Sequence, residues 1–507
     1  MKPGERPPEA LSSPRRVGGV DAARGIALLG MMAVHTLPLT DDSGTVTATG
    51  HIAAGTSAAL FGVLVGVSVA LLTGRRRVPL GAESAPRHAL RLLLRGVAVG
   101  TIGLVLGQAS IGEVDIILTY YGVLFLLAIP LIYLSTRTLF ALGAVLVVLA
   151  PITNFLLREH VAPFELIDPS FTALFTDPGG LLAALLFTGA YPAWPWLAYL
   201  CVGIAVGRCS LPKLRTAAWL TVAGVLIAVV AAAVSEVALT LLGGLERLQA
   251  SPGLPPDQLS AALTEGPDGV TPTSTWWWLA VDTAHSSTPL DMAYTIGTSL
   301  VVLGAMLLLD LGLERVRTNQ IGRVGRGVLA PLAAAGSMTL TLYSLHVLFV
   351  GVVPQAQPWL VYLTQVVLAL GVGLLWRRKV GRGPLEAGVS TLVDTAAPPP
   401  ARSKTREERG RPAAETTIAM AALVLVVASG AAIALVTTPG TSSTLPVVVS
   451  GVAATVEPDD PREAPGGAGV ETGDDTRNPP GQSVAPGRPV APDPDDSLDT
   501  PGSDTDN

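Results

Sequence analysis

The chain has 507 residues, of which 49% are hydrophobic and 14% are charged, and its formal net charge is −6. Soluble proteins carry roughly a quarter charged residues, so this composition excludes an ordinary soluble globular protein. Most of the acidic excess lies in residues 438–507, so the net charge does not describe the apolar part of the chain. Basic clusters between apolar blocks are typical of membrane topology signals and do not predict a nucleic-acid surface.

Apolar blocks of about 20 residues recur along the chain, and a helix of that length crosses the hydrocarbon core of a bilayer. We predict an all-α membrane protein: a polytopic helical bundle of about ten core transmembrane helices plus one additional C-terminal transmembrane helix, with the lipid bilayer around it. The predicted spans are 20–39, 52–73, 89–110, 114–134, 137–157, 180–207, 216–243, 291–312, 327–352, 357–376 and 414–437. The segment Tyr191–Trp196 interrupts the sixth span, which indicates a broken helix or an outer loop leading into a shorter span.

The connections between the spans alternate in charge. Even-numbered connections carry basic clusters such as Arg75–Arg77 and Arg377–Lys379, whereas the odd-numbered ones are acidic or nearly neutral. Basic loops remain in the cytoplasm, so we predict a multi-pass plasma-membrane protein with its N-terminus inside and its C-terminus outside. The first span follows Arg15 and Arg16 but no small-residue cleavage site comes after it, so we expect a retained helix.

The composition divides the chain into five predicted segments. They are a cytoplasmic N-terminal segment at 1–19, the main transmembrane domain at 20–380, a polar cytoplasmic linker at 381–413, an extra helix at 414–437 and a tail at 438–507. The tail is rich in Pro, Gly and Asp, cannot bury enough apolar surface to fold, and is predicted to be disordered and extracytoplasmic. Two cysteines, Cys201 and Cys209, indicate neither a disulfide framework nor a metal site.

Titratable residues inside a span are costly, and the first span contains Arg24 and His35. Eleven positions at about 100° per residue return to nearly the same helix face, and they separate the two side chains by roughly 16 Å. A cation near the inner surface and an imidazole nearer the outer surface could therefore face one shared passage. The competing interpretations are that Arg24 pairs with Asp21 or snorkels to headgroups, and that His35 is a neutral core histidine.

The predicted topology places most of the histidines in the outer half or outside. His51 opens the second span, His285 precedes the eighth, and His346 lies in the outer third of the ninth. A histidine takes a proton from an attacking amine or hydroxyl because its unperturbed pKa lies near neutrality, and it can also accept an acyl group. A zinc site is the rival interpretation, but the spacing matches no metal signature.

Two further polar residues are candidates near the start of the fourth span. Asp115 could orient a histidine by hydrogen bonding, although a carboxylate at a helix start is more often a cap. Tyr121 lies one turn or more deeper in the same span. The Trp276–Trp278 run indicates an interfacial belt or a re-entrant stretch.

Several of these segments resemble those of membrane acyltransferases, the group of heparan-alpha-glucosaminide N-acetyltransferase and its bacterial relatives. Arg24 and His35 also resemble the Arg-x10-His motif of the related bacterial O-acyltransferases. The resembling segments are Asp21–Gly30, Ala33–His35, Leu60–Gly66, Ile117–Leu124, Tyr191–Leu197 and Gly336–His346. They extend over roughly residues 17–380, which makes 20–380 an acyltransferase-like domain.

The resemblance implies an enzyme that uses acetyl-CoA from the cytoplasm and an extracytoplasmic glycan or other surface acceptor. His51 occupies the place of the catalytic histidine in the lysosomal family member, although the surrounding residues differ. His35 occupies the place of the essential histidine in the O-acyltransferases, so both are catalytic candidates. Arg24 would attract the CoA phosphates, and the expected acceptor-binding or orienting residues are His285, His346, Asp115 and Tyr121. No metal is expected, and a homo-oligomer is compatible with the resemblance.

Two other functions remain open on the sequence. A transporter or permease of a small or lipid-linked solute would use the same bundle and would place the histidines along a substrate or proton path. A structural or regulatory membrane protein would use the acidic tail as an interaction segment.

Overall fold

The described part of the chain is all-helical: helix accounts for 76% of its residues and no strand occurs. The computed structural model describes residues 17–109, 114–158, 160, 168–251, 255–267, 271–353 and 356–398. The all-α prediction is therefore confirmed. The predicted eleventh span at 414–437, the tail and most of the linker lie outside the described residues.

Seventeen α-helices occur within these ranges, and three short π or 3₁₀ turns accompany them. The α-helices are α1 Gly18–Val34, α2 Ala48–Ala53, α3 Thr56–Leu72, α4 Ala85–Ala109, α5 Leu118–Leu131, α6 Thr136–Arg158, α7 Phe171–Thr176, α8 Pro178–Ala183, α9 Ala193–Arg208, α10 Leu214–Glu236, α11 Gly244–Gln249, α12 Pro256–Thr264, α13 Pro289–Arg315, α14 Gln320–Gly336, α15 Thr339–Val350, α16 Pro358–Lys379 and α17 Pro384–Ala396. The π turns are Ala184–Thr188 and Val237–Leu241, and the 3₁₀ turn is Trp276–Ala280.

Six helices in the described ranges are long and apolar enough to cross a membrane, or up to eight if each of two bent pairs is one span. The six correspond to the predicted second, third, fifth, seventh, eighth and tenth spans. The predicted fourth span is the shorter apolar helix α5, and the predicted first span is the 17-residue α1. The chain is thus a multi-pass membrane protein by the length and composition of its helices.

The two bent pairs mark where the bundle departs from straight spans. The sixth predicted span bends by 51° between Thr188 and Ala193, as expected from its Pro-rich interruption. The ninth was expected to be continuous, but α14 and α15 meet at 76°. The new helix start at α15 is stabilised from a distance, because the Glu386 carboxylate accepts hydrogen bonds from the backbone N–H of Leu340 at 2.7 Å and of Thr341 at 3.2 Å.

Small residues let the central helices approach closely. A methyl group added at Gly203 of α9 would lie 2.1 Å from the Val63 carbonyl oxygen of α3, and one added at Gly336 of α14 would lie 1.7 Å from the Asp21 carbonyl oxygen of α1. Close backbone contact is how transmembrane helices gain packing energy, since lipid gives them no hydrophobic drive to associate. The α1–α14 contact fixes the helix that carries both Arg24 and His35.

The outer helices of the bundle have a different surface. In the most apolar 18-residue stretches of α10 and of α16, only 22% of the residues are buried, and α10 exposes Trp219, Leu226 and Val229. In the most apolar stretch of the span that includes α3, 72% of the residues are buried. Exposed apolar side chains on helices of membrane-spanning length are those expected to face lipid tails.

Candidate active site

A pair of histidines forms the centre of the site. Nδ1 of His35, the C-cap residue of α1, lies 2.8 Å from Nε2 of His346 in α15. The two ring planes are within 6° of parallel with centroids 5.1 Å apart, so the rings lie edge to edge along the hydrogen bond. His346 is buried, with 3% of its surface exposed, whereas His35 is partly exposed. The pair therefore has one member held in the core and one member with part of its surface exposed.

A third polar group extends the pair into the core. Nδ1 of His346 forms a hydrogen bond with Oε1 of Gln365 in α16, and Gln365 is 4% exposed. His35, His346 and Gln365 thus form a continuous line of hydrogen-bonding groups from three helices. Gln365 was not among the residues predicted from the sequence, where an amide within an apolar span was the one signal that pointed to it.

His285 approaches the pair from the loop before α13. It interacts electrostatically with His35, and its ring packs edge-on against Tyr191 with centroids 5.5 Å apart. Its φ of 57° and that of Ser287 at 51° lie in the left-handed region, which is uncommon for residues other than glycine. Such strain concentrates at functional sites. Burial lowers the pKa of His285 to about 4, so its ring is neutral near neutral pH.

The strained loop is held by a carboxylate and a glycine. The Asp291 carboxylate accepts a hydrogen bond from the Ser287 N–H at 2.9 Å. Gly55, with a φ of 67°, lies against the His285 loop, and a methyl group added to it would be 3.2 Å from Ala284. This turn joins α2 to α3 and leaves room for the His285 loop beside His35.

Aromatic side chains line the core beside the loop. Tyr191 packs edge-on against Trp196 at 5.3 Å, and Trp196 packs against Tyr121 at 6.3 Å. The Tyr121 hydroxyl donates a hydrogen bond to the Ala58 carbonyl oxygen at 3.1 Å. Tyr121 therefore supports the wall of the site through Trp196 and Tyr191, which is a structural role compatible with orienting His285.

Two predicted residues lie at the exposed surface. His51 is exposed on the short helix α2. In the described part of the chain, it forms no hydrogen bond or ring contact with His35 or His346. Asp115 is exposed, and its backbone carbonyl accepts a hydrogen bond from the Tyr343 hydroxyl at 3.5 Å. The N-cap of α5 is Ile117, so Asp115 does not cap that helix. Both roles remain predictions.

Arg24 lies at the opposite end of α1 from His35. Its Nη1 donates to the Asp21 carboxylate at 2.9 Å and its Nη2 donates to the Ser68 hydroxyl at 2.7 Å. Arg377 adds a second guanidinium 3.7 Å from the same carboxylate. The competing interpretation of an Arg24–Asp21 pair is therefore observed, and much of the Arg24 charge is compensated within the protein.

A cationic pocket lies near Arg24. From the sequence, its arginines were interpreted only as a topology signal. Its lining residues are Leu72, Thr73, His88, Arg91, Leu92, Arg95 and Val393. Arg91 donates to the Asp394 carboxylate at 2.6 Å, and Arg95 interacts electrostatically with Arg24, Arg91 and Arg382. The four-residue spacing of Arg91 and Arg95 on one face of α4 was the signal available in the sequence.

No group of three or more His, Cys, Asp or Glu side chains with the geometry of a metal site occurs among the described residues. The site as observed has ring nitrogens, an amide and hydroxyl groups at one end of α1 and guanidinium groups at the other. A neutral imidazole in such surroundings is suited to proton transfer, and guanidinium groups are suited to phosphates.

Comparison with known proteins agrees with this chemistry. Residues 16–241 match the family model described as heparan-alpha-glucosaminide N-acetyltransferase, catalytic. The match includes Arg24, His35, His51 and Tyr121, and it ends before His285 and His346. No curated protein and no solved structure matches the chain. The resemblance predicted from the sequence is thereby confirmed: residues 16–241 of this chain are similar to the catalytic domain of heparan-alpha-glucosaminide N-acetyltransferase.

Proposed function

We propose that this protein transfers an acetyl group from cytoplasmic acetyl-CoA to an extracytoplasmic glycan or other surface acceptor, with His35 as the general base. The observation that carries the proposal is the hydrogen-bonded His35–His346 pair at one end of α1, with a guanidinium cluster at the other end. Because acetyl-CoA does not cross a bilayer, such a reaction needs a passage through the bundle that joins these two ends. The proposed sidedness follows the charge alternation of the loops.

The reaction is an acyl transfer without an external oxidant or reductant. The acceptor amine or hydroxyl attacks the thioester carbonyl carbon, a ring nitrogen of His35 takes the acceptor proton, and the carbon–sulfur bond breaks. The thiolate of CoA leaves and is protonated. General-base assistance of this kind contributes roughly 10²- to 10⁴-fold to a rate.

The other residues have supporting roles in this proposal. His346 holds the His35 ring in place, and the neutral His285 and the wall formed with Tyr121 orient the acceptor. His51 is the alternative catalytic residue by resemblance, but it is exposed on α2, and no hydrogen bond fixes its ring among the described residues. Asp115 is retained as a candidate at the acceptor side.

The cationic pocket supports binding of the donor. The guanidinium groups of Arg91 and Arg95 line this pocket near Arg24, and guanidinium groups suit the phosphates of CoA. Arg24 is itself paired with Asp21, so we assign it to the wall of the thioester passage and the phosphates to the pocket.

Separate His35→Asn and His51→Asn variants test the catalytic assignment. Each is reconstituted in proteoliposomes and supplied with radiolabelled acetyl-CoA on one side and a surface-glycan extract on the other. We expect His35→Asn to lose at least about 100-fold in rate and His51→Asn to retain most of its activity. Full activity of His35→Asn would remove the proposed base, and loss only in His51→Asn would transfer the role to that residue.

A second candidate function is transport of a small or lipid-linked solute. The two helix pairs bent by 51° and 76° favour it, because transporters form their substrate sites from broken helices. Thermal stabilisation of the purified protein by acetyl-CoA distinguishes the two, since ligands stabilise the state that binds them. Stabilisation with acetyl turnover supports the enzyme, whereas solute uptake without acetyl turnover supports the transporter.

A further inference from the structure

Each ring nitrogen of His346 faces a different polar partner. Its Nε2 lies 2.8 Å from Nδ1 of His35, and its Nδ1 forms a hydrogen bond with Oε1 of Gln365. A neutral imidazole has one N–H and one lone pair, so it donates on one side and accepts on the other. The partner at one nitrogen therefore decides the protonation of the other nitrogen.

An amide oxygen accepts hydrogen bonds and cannot donate them. With Oε1 of Gln365 facing His346, the proton of His346 resides on Nδ1, and its Nε2 carries the lone pair. That lone pair accepts the hydrogen bond from Nδ1–H of His35. The remaining nitrogen of His35, Nε2, then has no proton. The direction of all the hydrogen bonds in the line thus follows from one amide.

We propose that Gln365 is a positioning residue that sets the tautomers of both histidines and leaves Nε2 of His35 as the basic nitrogen. The use of that nitrogen in acetyl transfer rests on the proposed function, whereas the tautomer assignment does not. Burial supports the assignment, because Gln365 and His346 are 4% and 3% exposed and water cannot readily replace either partner.

The arrangement also affects the protonated state of the base. When Nε2 of His35 takes a proton from the acceptor, the ring becomes an imidazolium and its Nδ1–H bond to His346 becomes charge-assisted. A His346 ring in the opposite tautomer would present an N–H to that imidazolium and repel it. Gln365 therefore favours the charged intermediate without contacting the substrate.

The direct test is the ¹⁵N NMR signal of the His35 ring in the full-length protein in bilayers, assigned by its loss in His35→Asn. We expect Nε2 of His35 to be unprotonated in the wild-type protein. In Gln365→Met, which keeps the length of the side chain without the amide oxygen, we expect a mixture of tautomers. A protonated Nε2 in the wild-type protein, or an unchanged tautomer in Gln365→Met, would overturn the inference.

Kinetics give the second readout. We expect Gln365→Met to lower kcat roughly 10- to 100-fold, the size seen when a partner that orients a histidine is removed, with little change in KM for acetyl-CoA. Thr364→Ala, at an exposed neighbour on the same helix, is the matched control and is expected to retain wild-type kcat. A rise in KM as large as the fall in kcat, together with a loss of thermal stability, would indicate a merely structural role and contradict the positioning role.

The failures of the two proposals can be told apart. If His35→Asn is inactive while Gln365→Met has wild-type kcat and tautomers, the positioning role is lost and the proposed function stands. If His35→Asn retains full activity, the proposed base is lost, while the NMR signals still decide whether Gln365 sets the tautomers.

Discussion

The two ends of α1 show opposite solutions to placing polar groups inside an apolar bundle. At the end that carries Arg24, the charges are compensated by ion pairs with Asp21 and by a hydroxyl from Ser68. At the end that carries His35, the ring nitrogens of His35 and His346 satisfy each other through a hydrogen bond. Guanidinium groups suit binding of a charged ligand and imidazoles suit proton transfer, so under the proposed function the two ends divide donor binding from chemistry.

The largest expected effect comes from breaking the helix contact that fixes both ends. In Gly336→Val, the added side chain would overlap the Asp21 carbonyl oxygen, because even a methyl group would lie 1.7 Å from it. We expect loss of folded protein, measured by monodisperse yield in size-exclusion chromatography. Gly327→Ala, on the same helix with open space around it, is the control and is expected to fold.

The next effect concerns the neutrality of the histidine end. Because burial lowers the pKa of His285 to about 4, the folded state favours the neutral ring. The stability from this preference is complete above the unfolded-state pKa of about 6.5 and is lost as pH falls toward about 4. We expect the free energy of unfolding of the wild-type protein to fall by roughly 3 kcal/mol more than that of His285→Asn over that pH range. Thermal unfolding at several pH values checks this, and parallel curves would contradict it.

A smaller effect is expected from the inner histidine. His346→Leu removes the hydrogen bond that orients His35 while keeping an apolar core, so kcat should fall roughly 100-fold. Binding of acetyl-CoA, measured by thermal stabilisation, should be retained because the cationic pocket lies at the other end of α1. A variant that loses donor binding as well would show that the two ends are not separate.

The cationic pocket offers the converse experiment. Arg95→Met keeps the apolar stem and removes the charge, so we expect KM for acetyl-CoA to rise about 10-fold with little change in kcat. Dephospho-CoA should bind the wild-type and variant proteins with more similar affinities than CoA does. A fall in kcat at unchanged KM would place Arg95 outside the donor site.

The smallest effect is expected at the lipid-facing surface. Trp219→Leu alters an exposed side chain of α10, away from both ends of α1, and should leave kcat and KM unchanged. Acetyl-transfer kinetics in proteoliposomes check this. A clear loss of activity would show that α10 contributes to the site and would weaken the comparison of the two ends.

Some features of the fold and the site could be predicted from the sequence and others could not, for physical reasons. The break near Tyr191 was visible because proline interrupts a helix locally. The bend at α15 was not, because its helix start is capped by Glu386 from a segment 46 residues away in the chain. His35 and His346 were both candidates, but no local pattern indicated that one would contact the other. Gln365 was missed because a single amide in an apolar helix has no spacing rule.

The sequence by itself determined that the chain is a helical membrane protein with a resemblance to an acetyltransferase family, and it placed Arg24 and His35 on one face of α1. These properties depend on composition, helix periodicity and short motifs, which are local. Only the tertiary structure decided which histidine faces His35, that Ser68 and Arg377 join the Arg24–Asp21 pair, and which helices enclose the pocket. Those contacts join residues far apart in the chain, and close packing of several helices selects them, so no single segment encodes them.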